Sequence, residues 1–239
     1  MSNLPDELTN QILCGDCVKL MAELLPDECV DLIIADPPFH VTLTQQTKKT
    51  PAYDQLKELD WVSDFEWLVE ASRVLRDGGT IYVFSSDDDI SLLKKAVREV
   101  GLRVYQRLHW IKTNPLPSYT KRNYRGGVEL AYFICKGKTP AYFAERTQQE
   151  LLSYWFLPIV GGKERTEHPT QKPIELMMTW IDNSCPPSGL VLDPFIGSGT
   201  TAVAAKQLGR LYLGIDISPE YVELARRRVE TANPPLFVL

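Results

Sequence analysis

Asp36-Pro37-Pro38-Phe39 closes the apolar run Val30-Asp31-Leu32-Ile33-Ile34-Ala35 and carries a carboxylate, two ring-stiffened residues and an aromatic face to one strand tip. Proline fixes its own φ and restricts the residue before it, so such a tip is rigid as well as polar. Fixed acceptors beside a stacking surface suit the gripping of a flat heterocycle that carries an amino group. A strand that merely ends in a Pro-Pro turn would look the same, and short motifs misfire often. The rest of the chain has to decide.

A second run, Leu190-Val191-Leu192-Asp193-Pro194-Phe195-Ile196-Gly197-Ser198-Gly199-Thr200-Thr201, reads as strand, glycine turn and helix start. Gly197 and Gly199 have no side chain, so the backbone there can turn sharply and approach a ligand closely. Thr200 and Thr201 fall where a helix N-terminus offers free N–H groups and partial positive charge. Asp216 ends the next apolar run, 23 residues after Asp193. An acid at that spacing is the usual partner of a ribose diol. A nicotinamide site would want G-x-G-x-x-G, whereas this loop reads Gly-x-Gly-Thr-Thr behind a carboxylate. Asp193 would repel a pyrophosphate but suit an ammonium or sulfonium group. The chemistry points to S-adenosylmethionine, not NAD.

The third group is His168-Pro169-Thr170-Gln171-Lys172-Pro173. Pro173 suits the first position of the helix that follows, and Thr170 or Gln171 can cap it. The amides and Lys172 could then hold a carboxylate. A good helix cap with a solvated lysine is the plainer alternative.

Seven apolar or β-branched runs have to carry these groups: Gln11–Cys14, Val30–Ala35, Thr80–Ser85, Arg103–Ile111, Glu129–Cys135, Leu190–Leu192 and Arg210–Ile215. Helical patterns lie between most of them, over Val18–Leu25, Asp64–Leu75, Asp89–Val100, Pro173–Asn183, Thr200–Leu208 and Pro219–Thr231. Such alternation predicts an α/β fold, doubly wound, with a mostly parallel sheet and helices on both faces. Gly78-Gly79 sits where a glycine would stop the Asp64 helix. The alternation breaks once: Arg103–Ile111 and Glu129–Cys135 are joined without a helix, which predicts an antiparallel hairpin at a sheet edge. Val41–Asp60 and Lys136–His168 resist assignment and are longer than ordinary connections.

The length of 239 residues and an apolar fraction of 44% fit one domain with a sizeable core. No run approaches the roughly 18 apolar residues of a membrane span, and Met1–Asn10 does not resemble a signal peptide. A cytoplasmic protein is expected. Cys14, Cys17, Cys29, Cys135 and Cys185 contain one lone CxxC, and three histidines are too few and too scattered to complete a metal site. Reduced, structural cysteines and no metal are expected. The net charge is −5, yet Arg103 to Lys172 holds 12 Lys/Arg against 5 Asp/Glu. A basic middle in an acidic chain is a footprint for a polyanion.

Taken together, Asp36-Pro37-Pro38-Phe39, His168–Pro173 and Asp193–Thr201 resemble the motifs of the amino-group DNA methyltransferases of the permuted β class. That family carries its D-P-P-Y/F tip before an H-P-T-Q-K-P-like segment and then an F-x-G-x-G loop, in the order found here. The resemblance covers nearly the whole chain and implies a circularly permuted, seven-stranded S-adenosylmethionine-dependent fold. It makes Leu190–Leu192 the cofactor strand and Arg210–Ile215 the second. Gln11–Cys14 becomes the third, Val30–Ala35 the fourth and Thr80–Ser85 the fifth, with the hairpin last. Cofactor and catalytic strands become neighbours, and Asp16 falls where the family contacts the cofactor's adenine.

The implied activity is methyl transfer from S-adenosylmethionine to an exocyclic nitrogen of a base flipped out of double-stranded DNA. Asp36 and the Pro37 carbonyl would accept the amine hydrogens and aim its lone pair, without a covalent intermediate, while Phe39 stacks on the base. An acid at the first position resembles the adenine-N6 enzymes, whereas cytosine-N4 enzymes more often begin with Ser. Adenine is therefore expected, with cytosine-N4 transfer, or a catalytically silent DNA-binding relative, as alternatives. Ring-carbon methylation would need a Pro-Cys pair, and none exists.

The family's target-recognition region corresponds to about Gly137–Glu167, with Arg146, Lys163 and Arg165. The 41–60 segment, with Lys48 and Lys49, would be a mobile loop beside the site. Lys121, Arg122 and Arg125 look like phosphate contacts. Tyr154-Trp155-Phe156 reads as a small core patch. The class acts alone or with a cognate restriction endonuclease, and often as a homodimer.

Overall fold

One sheet of eight strands runs through the molecule, a computed structural model that describes residues 4–38, 65–118, 121–122 and 124–233. In chain order the strands are β1 (Gln11–Cys14), β2 (Val30–Ala35), β3 (Leu75–Ser85), β4 (Leu102–Lys112), β5 (Val128–Lys136), β6 (Tyr154–Leu157), β7 (Leu190–Asp193) and β8 (Leu211–Asp216). Their order across the sheet is β1-β8-β7-β2-β3-β5-β4-β6. Every neighbouring pair is parallel except the two that β5 makes, with β3 and with β4. The doubly wound sheet with its antiparallel hairpin is thus present, with one more strand than the seven expected.

The extra strand is β6, which pairs with β4 from His109↔Tyr154 to Lys112↔Leu157. It falls inside the stretch read as a recognition insertion, and on residues read as a core patch. Trp155 does pack on the core, 5.9 Å from Trp180, but Tyr154 and Phe156 point outward as a strand's alternation requires.

Six helices cover the sheet among the described residues: α1 (Cys17–Leu24), α2 (Trp67–Val74), α3 (Ile90–Glu99), α4 (Ile174–Ser184), α5 (Thr200–Gln207) and α6 (Pro219–Thr231). Strand alternation sorts the apolar residues between two layers. Leu32, Ile34, Tyr82 and Phe84 face α4, α5 and α6, while Ile33, Ala35, Ile81 and Val83 face α1, α2 and α3. Strands buried on both faces read as unbroken apolar runs, which is why Val30–Ala35 stood out in the sequence. No helix among the described residues is long and apolar enough to cross a membrane.

The Gly78-Gly79 expectation was wrong in its reason. Helix α2 stops at Val74, with Leu75 already extended, and the chain enters β3 at once. Gly78 lies inside β3 at φ +72°, where an added Cβ would meet Ala141 at 2.5 Å. The glycine serves a close crossing of the 137–146 segment, not a helix end.

Tyr82 and Trp180 hold the centre of the α4 layer, stacked at 4.6 Å with rings 8° apart. The Tyr82 hydroxyl and the Ser184 hydroxyl share a buried 2.8 Å hydrogen bond. Tyr82→Phe keeps the stack and strands Ser184. It should lower unfolding free energy by about 1 kcal/mol in urea melts, without changing ligand binding.

Candidate active site

Strands β7 and β2 lie side by side in the middle of the sheet, pairing Leu32↔Val191 and Ile33↔Leu192. The chain leaves them in opposite directions, β7 toward β8 and β2 toward β3, which opens a crevice at their carboxyl ends. Both acid-bearing tips lie there. Asp36 and Asp193 line one cleft together with Phe195, Gly197, Ser198, Thr200 and Thr201 from the glycine turn. His168, Thr170, Gln171 and Lys172 line the same cleft from the opposite side. Segments more than a hundred residues apart in sequence are thereby brought to one place.

The glycine turn is built for close approach. Gly197 has φ +47°, and a Cβ there would stand 2.8 Å from His168 Nε2. Gly199 has φ +81°, with Ala225 of α6 at 2.8 Å from its would-be Cβ. Pro194 is buried behind the turn. Asp193 accepts from the Phe195 N–H at 3.0 Å, and Phe195 meets Trp67 edge-on at 5.5 Å. Asp216, at the tip of β8, accepts from the Gly197 N–H at 2.9 Å and the Ser218 N–H at 2.9 Å. Asp16 follows β1, which pairs with β8, and its side chain caps α1 by accepting from the Lys19 N–H at 3.0 Å.

Three carboxyls end neighbouring strands, and all three are raised, mainly by burial. Burial pushes Asp193 up to about 7, against hydrogen bonds from Thr201 and the Phe195 N–H, with the charges of Asp36 and Asp216 adding to the rise. Burial likewise raises Asp36 and Asp216 above the usual carboxylate range. A pocket with that much suppressed negative charge favours a cationic ligand. His168 is the reverse case: burial, then the charges of Lys172, Arg165 and Arg228, pull it down to about 4, so its ring is neutral at physiological pH. That ring closes over Gly197 and meets Tyr221 edge-on at 4.6 Å.

Two expectations for the His168–Pro173 segment need correction. Neither Thr170 nor Gln171 caps α4; Glu164 does, accepting from the Ile174 N–H at 3.0 Å. The Gln171 amide is consumed in tying its own loop, accepting from the Thr166 N–H and hydroxyl at 2.8 Å each and donating to the Glu164 carbonyl at 2.8 Å. Lys172 is neither solvated nor turned to the helix end. Its ammonium is hydrogen-bonded to Asp36 Oδ2 and lies 4.6 Å over the Phe84 ring, with only 10% of the side chain exposed. A second carboxylate, Glu129, stands 3.5 Å away and is itself bound by Lys112 at 2.7 Å.

Among the basic residues singled out, Lys121, Arg122 and Arg125 belong to the loop between β4 and β5, at the same end of the sheet as Asp36. Arg165 precedes His168 and donates to the Pro169 carbonyl at 3.2 Å, whereas Lys163 lines a separate hollow with Gln207 of α5 and Thr231 of α6. Arg146 is not among them. It is bound to Asp182 and, at 2.8 Å, to Asn183, at the far end of α4. Its guanidinium is satisfied where no strand tip of the cleft comes near. Phe39, Lys48, Lys49 and the rest of 41–60 lie outside the described residues.

Sequence reading also missed Arg228, which donates to the Ser198 carbonyl at 2.6 Å and the Thr200 hydroxyl at 3.1 Å and so braces the glycine turn. Its signal was available: it lies three residues after buried Ala225, on the apolar stripe of α6 with Val222 and Val229. A charge on such a stripe needs a buried partner.

This fold and cleft belong to a known family. The family model for DNA methylases of the N6/N4 type matches residues 30–227, and the chain belongs to that family. It is 31% identical to the type II methyltransferase M2.MboI of Moraxella bovis, over 97% of this chain and 91% of that one. Another relative is the type II methyltransferase M.HinfI of Haemophilus influenzae, 31% identical over 96% of this chain and 70% of the relative. Of solved structures, the complex of M1.HpyAVI with SAM superposes with a TM-score of 0.73 at 28% identity, covering 92% of this chain and 98% of that one. The cytosine-N4-specific PvuII DNA methyltransferase shares the fold at a TM-score of 0.71 and 21% identity, over 91% of this chain and 85% of that one.

Proposed function

We propose that this chain transfers a methyl group from S-adenosylmethionine to N6 of adenine in a base flipped out of duplex DNA, by direct attack of the amine. The observation that carries the reading is the meeting of the Asp36 tip and the Asp193–Thr201 turn in one cleft between β2 and β7. Bound S-adenosylmethionine would supply an electrophilic methyl on a sulfonium. The cluster of raised carboxyls fits that charge, and the turn at Gly197 and Ser198, which lines the cleft, fits close approach of its amino-acid portion. Asp193 would face the sulfonium, Thr200 and Thr201 would hold that amino-acid portion, Asp216 the ribose and Asp16 the adenine. His168 and Thr170 would form the opposite wall.

An exocyclic amine is a poor nucleophile because its lone pair is delocalised into the ring. The Asp36 carboxylate and the Pro37 carbonyl would accept its two hydrogens, localise the lone pair and aim it at the methyl carbon. Pro38 stiffens the tip, and Phe39 would stack on the base. Lys121, Arg122, Arg125, Lys163 and Arg165 would meet phosphates, which gives binding a steep salt dependence. Lys48 and Lys49 are proposed for the same role. A type II setting fits the relatives' names, with an endonuclease of matching specificity as partner.

Incubation with labelled S-adenosylmethionine and unmethylated DNA, followed by nucleoside mass spectrometry, tests the base. N6-methyladenine is expected. N4-methylcytosine would move the assignment to the other amino base, and 5-methylcytosine would overturn the mechanism.

Asp193 makes cofactor binding pH-dependent. Protonation removes the charge that a sulfonium would pair with, so affinity is full above about pH 7 and declines as pH falls through that value. The decline should reach about tenfold per unit. Calorimetry across that range checks it, and a flat profile would remove Asp193 from the sulfonium's surroundings.

A further inference from the structure

Asp36 already holds a hydrogen-bond donor where the proposed function requires it to hold another. The ammonium of Lys172 is bonded to Asp36 Oδ2, so the carboxylate that should accept the target amine starts neutralised by an ion pair. Lysine is all donor and no acceptor, so it cannot pass the amine's hydrogen along. Either the amine shares Asp36 with a lysine that cancels the carboxylate's charge, or the lysine moves.

The structure provides a place for it to move. Glu129, the second residue of β5, presents its carboxylate to two lysines with different oxygens. Oε1 takes Lys112 at 2.7 Å, and Oε2 lies 3.5 Å from Lys172 Nζ. Lys112 is itself held, with 16% of its side chain exposed and its ammonium 5.2 Å over the Trp110 ring. Asp36, Lys172, Glu129 and Lys112 therefore form a row of alternating charge, anchored at the Lys112 end and open to the cleft at the Asp36 end. A shift of well under one side-chain length carries the ammonium from one carboxylate to the other. Such a shift keeps the ammonium paired throughout and leaves the Asp36 carboxylate to the entering amine.

We propose that Glu129 is a positioning residue that receives the Lys172 ammonium when the amino group of the target base takes its place on Asp36. Lys172 then has two functions. It keeps the half-buried Asp36 paired while no base is bound, and it returns the full carboxylate charge as the base enters. The inference rests on the reading of Asp36 as the amine's acceptor.

The test is steady-state kinetics of Glu129→Gln on duplex DNA at saturating S-adenosylmethionine, in the wild-type and Lys172→Met backgrounds. Without a second carboxylate the lysine stays on Asp36, so kcat/KM for DNA should fall about tenfold or more. The cofactor's Kd should stay within about twofold, and Glu129→Asp should restore most of the loss. In Lys172→Met there is no ammonium to receive, so Glu129→Gln should cost little more. Unchanged kcat/KM in Glu129→Gln, or an equal loss in both backgrounds, would overturn the proposal.

Should Lys172→Met be too slow to measure, a crystal structure with duplex DNA and S-adenosylhomocysteine decides. Lys172 Nζ is expected at about 2.8 Å from Glu129 and off Asp36. A lysine still bonded to Asp36 beside a bound amine would overturn the proposal. A flipped base whose amine does not touch Asp36 would instead overturn the reading beneath it.

Discussion

Asp36→Ala should abolish methyl transfer, lowering kcat by about 10³-fold or more, while leaving S-adenosylmethionine binding intact. The two readouts separate because the proposed function gives Asp36 its main role on the base side, although it lines the same cleft as the cofactor turn. On the base side the proposed mechanism makes it the acceptor that localises the amine's lone pair, and alanine offers nothing in its place. On the cofactor side its charge helps to keep Asp193 protonated, so its removal lets Asp193 ionise more readily. Cofactor affinity near neutral pH should hold or rise slightly. Lys172 keeps Glu129 at 3.5 Å, so the variant does not leave a bare buried ammonium. Single-turnover transfer of labelled methyl groups, with calorimetry on the same sample, measures both. An Asp36→Ala protein that still transfers would remove the tip from the mechanism.

Gly199→Ala should weaken S-adenosylmethionine binding by about ten- to a hundredfold and lower the melting temperature by several degrees. Two costs act together. The residue sits at φ +81°, where an L side chain is strained by about 1–3 kcal/mol. Its new Cβ would also lie 2.8 Å from Ala225 Cα, which is backbone of α6 and cannot rotate away. Either α6 shifts or the turn does, and the turn also carries the Ser198 carbonyl and Thr200 hydroxyl that Arg228 holds. Gly197→Ala meets a ring instead, His168 Nε2 at 2.8 Å, which has somewhere to go. Its effect should be smaller. Differential scanning calorimetry with and without cofactor ranks the two, and a milder Gly199→Ala than Gly197→Ala would show that α6 is more yielding than its packing implies.

The parts of the site that are local in sequence were legible there. Val30–Ala35 and Leu190–Leu192 are buried on both faces, so their composition alone marks central strands, and each ends on the acid it delivers. The parallel alternation, the β4–β5 hairpin and the adjacency of β2 and β7 followed from such signals and from the family's order. What stayed hidden depends on contacts between distant residues. Lys172 meets Asp36 across 136 residues, and Glu129 carries no local sign beyond a charge at a strand end, so their pairing has no sequence signature. Gln171 resembled a cap but serves its own loop, and Glu164 caps α4 from ten residues away. Strand β6 hid because four apolar residues before a proline read equally as a patch; only pairing with β4 makes them a strand. Arg146 looks in sequence like its basic neighbours, and only the fold shows its guanidinium bound to Asp182 at the far end of α4.

The central claim is that the Asp36 tip and the Asp193–Thr201 turn place an amino base beside a methyl donor. Direct detection of modified bases tests it, in DNA from methylase-deficient cells that express either this chain or its Asp36→Ala variant. N6-methyladenine at one short recurring sequence, present with the native chain and absent with the variant, is the predicted result. Equal modification by both, or methyl groups on a ring carbon, would contradict it.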